Sequence, residues 1–200
     1  MNRCRNQVIY LKKVKIGFAI CGSFCTIAEA LKQMRFLADK GYDVYPILSP
    51  IVAGENTRFT KSEDLLCEVE EISGHKPILS IVEAEPIGPK KMFDILVVCP
   101  CTGNTLAKLN YGITDTSVTM AVKAHVRNNR PIVIAVATND ALSASAKNIG
   151  ALLNRKNYYF VPFSQDDPLT KERSAIADFN LLEPTIISAL DLRQYTPIIK

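Results

Sequence analysis

Phe93-Asp-Ile-Leu-Val-Val-Cys99 runs straight into Pro100-Cys-Thr-Gly-Asn-Thr105. An almost uninterrupted apolar run that ends in small, hydroxylated and turn-forming residues reads as a strand buried on both faces, stopping at a polar loop. Strands of this kind belong to parallel sheets, where crossover helices cover both faces. Upstream, Lys15-Ile-Gly-Phe-Ala-Ile-Cys21 repeats the pattern and breaks at Gly22-Ser23. From about residue 26 to 40, Ile27, Ala30, Leu31, Met34 and Leu37 fall at helical spacing and line one face, with Gly41 closing the helix. Asp-Val-Tyr-Pro-Ile-Leu at 43–48 is a second strand, with Pro46 suggesting an edge or a strand end. A polar stretch over 53–60 leads to a helix around 61–72. Downstream, a helical turn follows Thr105, a helix is expected near 117–128, and Pro-Ile-Val-Ile-Ala-Val-Ala at 131–137 is another buried strand. A helical segment to about 154, a last strand at 158–163 and a closing amphipathic helix over 175–190, interrupted near Pro184, complete the chain. This alternation predicts a single doubly wound α/β domain, Rossmann-like or flavodoxin-like, with a mainly parallel sheet.

Composition narrows the function classes. Of 200 residues, 48% are hydrophobic and 22% charged, enough for a sizeable core. No apolar run approaches the roughly 18 residues of a membrane span. The net charge of +4, from 24 basic and 20 acidic residues mixed along the chain, argues against a nucleic-acid binder. Residues 1–14 read as a basic extension before the domain at 15–200, because Val8-Ile-Tyr-Leu11 is too short for a signal peptide. A cytoplasmic setting follows, in which the six cysteines stay free thiols. Cys21/Cys25 and Cys99/Cys101 lack the spacing of zinc ligands, so no metal is expected.

In doubly wound sheets, ligands sit beyond the carboxyl ends of the strands. Four such ends are rich in small and hydroxylated residues: Cys21-Gly-Ser-Phe24, Ser49-Pro50, Pro100–Thr105 and Thr138-Asn-Asp140. Converging hydroxyls and helix-start N–H groups suit a phosphate, and Gly22 permits close backbone approach. The same residue types also serve capping and turns, so each loop alone has a purely local reading. No Walker lysine and no GxGxxG is present, which disfavours a P-loop and an ordinary dinucleotide site and leaves a mononucleotide phosphate.

The loop Pro100-Cys-Thr-Gly-Asn-Thr105, leading into Leu-Ala-Lys-Leu, resembles the Pro-x-x-x-Asn-Thr signature of the flavin-binding cysteine decarboxylase and flavin prenyltransferase superfamily. The Gly22-Ser23 turn and Ser49 are similar to its other loops. The resemblance implies FMN held by Gly22, Ser23, Phe24, Ser49, Thr102, Gly103, Asn104 and Thr105. An ordered series of stretches resembles one branch of that superfamily. The series comprises Cys21-Gly-Ser-Phe-Cys-Thr26, Asn56-Thr-Arg-Phe59, Ser80-Ile-Val-Glu-Ala-Glu-Pro-Ile-Gly-Pro-Lys90, Arg127-Asn-Asn-Arg-Pro131, Ala137-Thr-Asn-Asp-Ala-Leu142 and Phe160-Val-Pro-Phe-Ser-Gln-Asp-Asp-Pro168. Members of that branch form one component of a dipicolinate-producing oxidoreductase in the mother cell of sporulating bacteria. The implied partner is a nicotinamide-dependent subunit carrying NAD(P), the substrate a small dicarboxylate, and the assembly a homo-oligomer, trimeric or dodecameric.

Departures from the wider superfamily separate its branches. Decarboxylating members carry a histidine shortly before the third-strand loop, whereas this chain reads Glu85-Pro-Ile-Gly-Pro-Lys-Lys91, and His75 lies too far upstream. Their Pro-x-Met-Asn clamp is also missing, and Ala137 stands where the prenyltransferases usually place an arginine. A decarboxylase, a prenyltransferase and a scaffold that has lost its flavin remain as alternatives. Catalytic residues are not identified. Arg58 is the candidate cation for a substrate carboxylate, and Asn139 a candidate orienting group, although Asn139 and Asp140 equally suit a helix cap. Gln165-Asp-Asp-Pro168 either closes over the site or makes a turn. His125 follows an apolar stripe and reads as a packed histidine, His75 as a loop residue, and Cys101 as the cysteine nearer the ligand.

Overall fold

The computed structural model describes residues 13–200, so most of the expected extension over 1–14 lies outside the described residues. In chain order the elements are β1 (Lys15–Ile20), α1 (Ile27–Asp39), β2 (Asp43–Leu48), α2 (Pro50–Gly54), α3 (Ser62–Ser73), α4 (Ile81–Ala84) and β3 (Ile95–Cys101). They continue with α5 (Gly103–Tyr111), α6 (Ser117–Val126), β4 (Ile132–Thr138), α7 (Ala146–Leu153), β5 (Tyr158–Phe160), β6 (Phe163–Ser164), β7 (Ala175–Ala177) and α8 (Leu182–Leu190). Short 3-10 turns at Phe24–Thr26, Glu85–Ile87 and Phe179–Leu181 join them.

Every residue of β3 is buried, and all of β4 except Thr138. Burial on both faces explains why these runs show no polar alternation. β3 pairs in parallel with β1 on one side and β4 on the other, β1 pairs with β2, and β4 pairs with β5. The parallel order β2-β1-β3-β4-β5 is the flavodoxin-like one, whose switch point lies between β1 and β3. α1 lays Ile27, Ala30, Leu31, Met34 and Leu37 against the sheet, and Gly41, at φ +93°, turns the chain out of the helix. α6 begins with a reciprocal capping box between Thr116 and Thr119.

Three expectations change. β3 extends two residues further than the apolar run suggests, with a register shift between Val98 and Cys101, so Pro100 and Cys101 belong to the strand. The stretch 158–163 divides into β5 and β6. The closing helix over 175–190 begins only at Leu182. Residues 175–177 instead form β7, pairing antiparallel with the end of β4 (Ala137 with Ile176, Thr138 with Ala175) and with β6. The cause is tertiary: β5 covers β4 only at Ile132–Ile134, leaving the end of β4 free to pair, and Ala-Ile-Ala fills it. Pro184 then sits in the first turn of α8, where its missing N–H costs no helix bond.

Candidate functional site

Two clefts adjoin at the carboxyl end of the parallel strands and share Gly22 and Thr102. The inner one, about 530 Å³, is lined by Cys21, Ser49, Pro50, Ile51, Asn104, Thr105, Lys108 and Thr116 as well. The outer one, about 360 Å³, adds Ser23, Phe24, Arg58, Phe59, Asn139, Asp166, Lys171 and Ser174 among its walls.

The inner cleft is a set of hydroxyls whose hydrogens are spent unequally. Thr105 Oγ1 donates to Cys21 Sγ at 3.3 Å, and Thr102 Oγ1 lies 3.1 Å from Thr105 Oγ1 while accepting from Thr105 N at 3.3 Å. With the Thr105 hydrogen committed to sulfur, the Thr102 hydrogen goes to Thr105, so neither hydroxyl retains a hydrogen for a ligand. Ser49 differs. It is only 7% exposed, and its Oγ has no hydrogen-bond partner among the described residues. A buried hydroxyl left unpaired carries a desolvation cost of about 1–3 kcal/mol, and it is the kind of unmet hydrogen bond that a ligand oxygen satisfies. In the same lining stand Asn104, whose first-turn N–H has no acceptor within α5, and Lys108, whose Nζ is held 2.8 Å from Asp115. A Cβ at position 22 would lie 3.0 Å from Ile51 Cγ2, so the chain passes Ile51 too closely for a side chain to fit easily. The donor set matches a phosphate monoester at a helix start, so the residues present suit the phosphate end of FMN.

Gly103 has a packing task. It lines neither cleft. A Cβ there would fall 2.5 Å from Ser145 Oγ, 2.6 Å from Asp140 Oδ1 and 2.8 Å from Thr138 Oγ1. Asp140 Oδ1 accepts from Thr138 (2.5 Å) and Ser145 (2.8 Å), so the start of α5 packs directly on a knot that ties the end of β4 to the turn before α7. Asp140 thereby ties two hydroxyl side chains together without capping α7, whereas Asn139 does reach the outer cleft, accepting from Ser174 Oγ at 3.4 Å.

The outer cleft is charged. Arg58 is exposed, with its guanidinium carbon 4.8 Å from the Phe59 ring centre. Lys171 and Asp166 form an ion pair at 3.0 Å. Burial would raise the Asp166 carboxyl, but hydrogen bonds from Ser174 and Lys171 hold it below its ordinary range. Lys108 stands one turn after Asn104 in the quoted Leu-Ala-Lys-Leu run, but the sequence places Asp166 only in a segment that either closes over the site or turns, and it gives no sign of Lys171 or Ser174. No spacing signals them, because they arrive on elements far apart in the chain.

The remaining candidates are structural. Burial pushes the Cys21 thiol up to about 11 against the milder effect of the Thr105 hydrogen bond, and burial likewise raises Cys99 and Cys101. Cys101 is fully buried rather than facing the ligand. None of the three is poised as a thiolate nucleophile. His125 is 1% exposed and donates from Nε2 to the Pro131 carbonyl at 3.1 Å; burial lowers its pKa to about 4. His75 stacks on Tyr45 and meets Asp43 at 2.9 Å, at the end of the sheet where β2 begins. Among the described residues no cluster of metal-ligating side chains occurs, and no helix is long and apolar enough to cross a membrane.

Hydroxyl-rich loops at the switch point of a 2-1-3-4-5 sheet define a flavodoxin-like α/β protein, and comparison with known proteins places it in a family. The family model described as Flavoprotein matches residues 6–187, and the chain belongs to that family. Within it the chain groups with the B subunit of dipicolinate synthase. That protein from Bacillus subtilis (strain 168) is 42% identical over 189 residues, 94% of either chain. The crystal structure of the dipicolinate synthase B subunit from Bacillus halodurans C has a TM-score of 0.86 at 38% identity, covering 94% of this chain and 96% of that one. The structure of AnUbiX (PadA1) in complex with FMN and dimethylallyl pyrophosphate shares the fold, with a TM-score of 0.58 at 16% identity over 76% of this chain and 78% of that one.

Proposed function

We propose that this chain is the FMN-binding subunit of a dipicolinate synthase. In this reading it works with the nicotinamide-dependent A subunit of dipicolinate synthase, which carries NAD(P), as a homo-oligomer in the mother-cell cytoplasm of a sporulating bacterium. The substrate is the cyclic lysine-pathway dicarboxylate. Removal of two hydrogens converts dihydrodipicolinate to pyridine-2,6-dicarboxylate, and starting from 4-hydroxy-tetrahydrodipicolinate one water is lost as well. The observation that carries the reading is the buried, unpartnered Ser49 hydroxyl beside the start of α5, in a chain 42% identical to the B subunit of a dipicolinate synthase.

Ser49, Asn104, the first turn of α5 and Lys108 hold the phosphate, with Gly22, Ser23 and Phe24 at the junction of the two clefts. When bound, FMN supplies a two-electron acceptor. The chain's own residues bind and orient: Arg58 pairs with a carboxylate of the substrate, Asn139 donates from its amide to a substrate oxygen, and Phe24 and Phe59 provide apolar walls that exclude water. Thr102 and Thr105 fix the cleft floor through Cys21 rather than touching the phosphate. The lack of a histidine in the stretch 85–91 before β3 sets this chemistry apart from decarboxylation. The test is an absorbance spectrum of the pure protein before and after FMN addition and desalting, followed by dipicolinate formation with the partner subunit. Retained flavin bands that Asn104→Ala weakens, together with partner-dependent product, are expected. A colourless protein that cannot hold FMN, yet supports product formation, would replace the flavin assignment with a substrate-binding or scaffolding role.

A further inference from the structure

The outer cleft contains an ion pair without a task in the fold. Lys171 and Asp166 lie on the excursion 165–174 between β6 and β7. No residue from 165 to 173 is buried, and Leu169 at its tip is 91% exposed, so the segment contributes nothing to the core. Yet it is held in shape by its own bonds. Lys171 N donates to Asp167 O at 2.7 Å, Ser174 N to Lys171 O at 3.0 Å, and Gln165 Nε2 to Glu172 O at 2.8 Å. The Leu142 N–H ties it to the loop after β4 through Arg173 O at 3.0 Å. A segment ordered by hydrogen bonds, anchored next to a strand end and devoid of apolar burial is there for what its side chains present.

What it presents is a cation with a replaceable partner. The Lys171 side chain is 53% exposed, and an ion pair so open to solvent is cheap to break. Asp166 does not need Lys171 to stay ionised, since its carboxylate is 24% exposed and meets solvent. Across the same cleft, Arg58 lies against a ring face rather than a carboxylate. The lining therefore holds two cations and one carboxylate, and the carboxylate is on the one cation that can let it go.

We propose that Lys171 is the second carboxylate anchor of the substrate site and a specificity residue for dicarboxylates. In the free chain Asp166 stands in for a substrate carboxylate. When a planar 2,6-dicarboxylate enters, Arg58 takes one carboxylate, Lys171 exchanges Asp166 for the other, and Asp166 is left to solvent and to the Ser174 hydroxyl, which turns to it from Asn139. No proton or covalent bond moves; one ion pair replaces another. The inference rests on the dicarboxylate reading above and adds to it the group that distinguishes two carboxylates from one.

Calorimetric titration of the full chain with dipicolinate and, separately, with the monocarboxylate picolinate tests it. The wild type is expected to prefer dipicolinate. Lys171→Met should weaken dipicolinate by about tenfold or more, the usual loss for a charge-assisted contact, and bring the ratio of the two affinities towards one. Asp166→Asn, which removes the stand-in, should tighten dipicolinate a few-fold. An unchanged affinity ratio in Lys171→Met overturns the proposal, as does an Asp166→Asn that weakens dipicolinate as much as Lys171→Met does, since the pair would then be a strap for the loop. Partner-dependent dipicolinate formation on the same preparations separates the levels. A wild type that makes product while Lys171→Met changes no affinity removes the anchor alone. A wild type that neither binds dipicolinate nor makes product removes the dicarboxylate reading and the anchor together.

Discussion

The two clefts meet at Gly22 and Thr102 but are built by different means. The inner one is made by short loops that leave β1, β2 and β3, and its deepest hydroxyls are buried, Ser49 and Thr105 each 7% exposed, with Lys108 as the one cation among the described residues of its lining. The outer one is finished by the antiparallel β6–β7 edge and the exposed excursion between them, and its character comes from Arg58, Asp166 and Lys171. Parallel strands bring their loops to one side of a sheet by topology alone, so small residues in those loops suffice to make a cradle. The edge hairpin brings in charges from residues near 170, and those charges stay solvated because nothing packs on them. The difference teaches that the inner cleft is a property of the sheet, whereas the outer cleft is an addition to its edge.

The largest expected effect belongs to neither cleft and serves to isolate them. His125 has a folded-state pKa of about 4 against an ordinary 6.5, because burial opposes its charge. Between these values the unfolded chain binds a proton that the folded chain refuses, so stability falls as pH drops from 6.5 towards 4 and is fully kept above 6.5. The loss approaches about 3 kcal/mol at the lower end. Denaturant melts at pH 7 and pH 4.5 should show it, and His125→Gln should flatten this part of the slope. A flavin release that tracks this melt is global unfolding rather than a local event in the inner cleft.

Gly103→Ala comes next. The new methyl would sit 2.5–2.8 Å from three side-chain oxygens, forcing the Asp140 knot apart. Overpacking of this kind costs about 1–3 kcal/mol, seen as a lower denaturant midpoint. Because the knot joins α5 to the end of β4, both clefts should lose ligand affinity together; loss of one alone would break the link between them.

The smallest effect carries an inverted sign. Ser49→Ala removes a buried hydroxyl that has no partner among the described residues, so without flavin the variant should be more stable by about 1 kcal/mol, or roughly 2–4 °C in Tm. The same change should weaken FMN binding. A Ser49→Ala chain that loses both stability and FMN would mean that Ser49 supports the fold, and the contrast between a ligand-ready inner cleft and a charged outer one would lose its sharpest element.

Much of this was legible before any coordinates. The apolar runs at 15–21, 93–99 and 131–137 could only be strands covered on both faces, and strand-end loops rich in Ser, Thr, Asn and Gly had to face one side of a parallel sheet. Seven of the eight expected flavin-site residues line one of the two clefts, and Arg58 and Asn139 line the outer one. Period and composition act over a few neighbouring residues, so they determine which segments are strands or helices and where their polar ends lie. Three things had to wait for the tertiary structure. Ala175–Ala177 became a strand because the end of β4 had an unpaired edge to offer. Gly103 proved to be a packing glycine because Thr138, Asp140 and Ser145 converge on it from across the sheet. Lys171 reached the cleft through a loop whose own sequence has no periodicity. In each case the deciding partner is remote along the chain, and a contact between distant residues leaves no local pattern by which a single sequence could announce it.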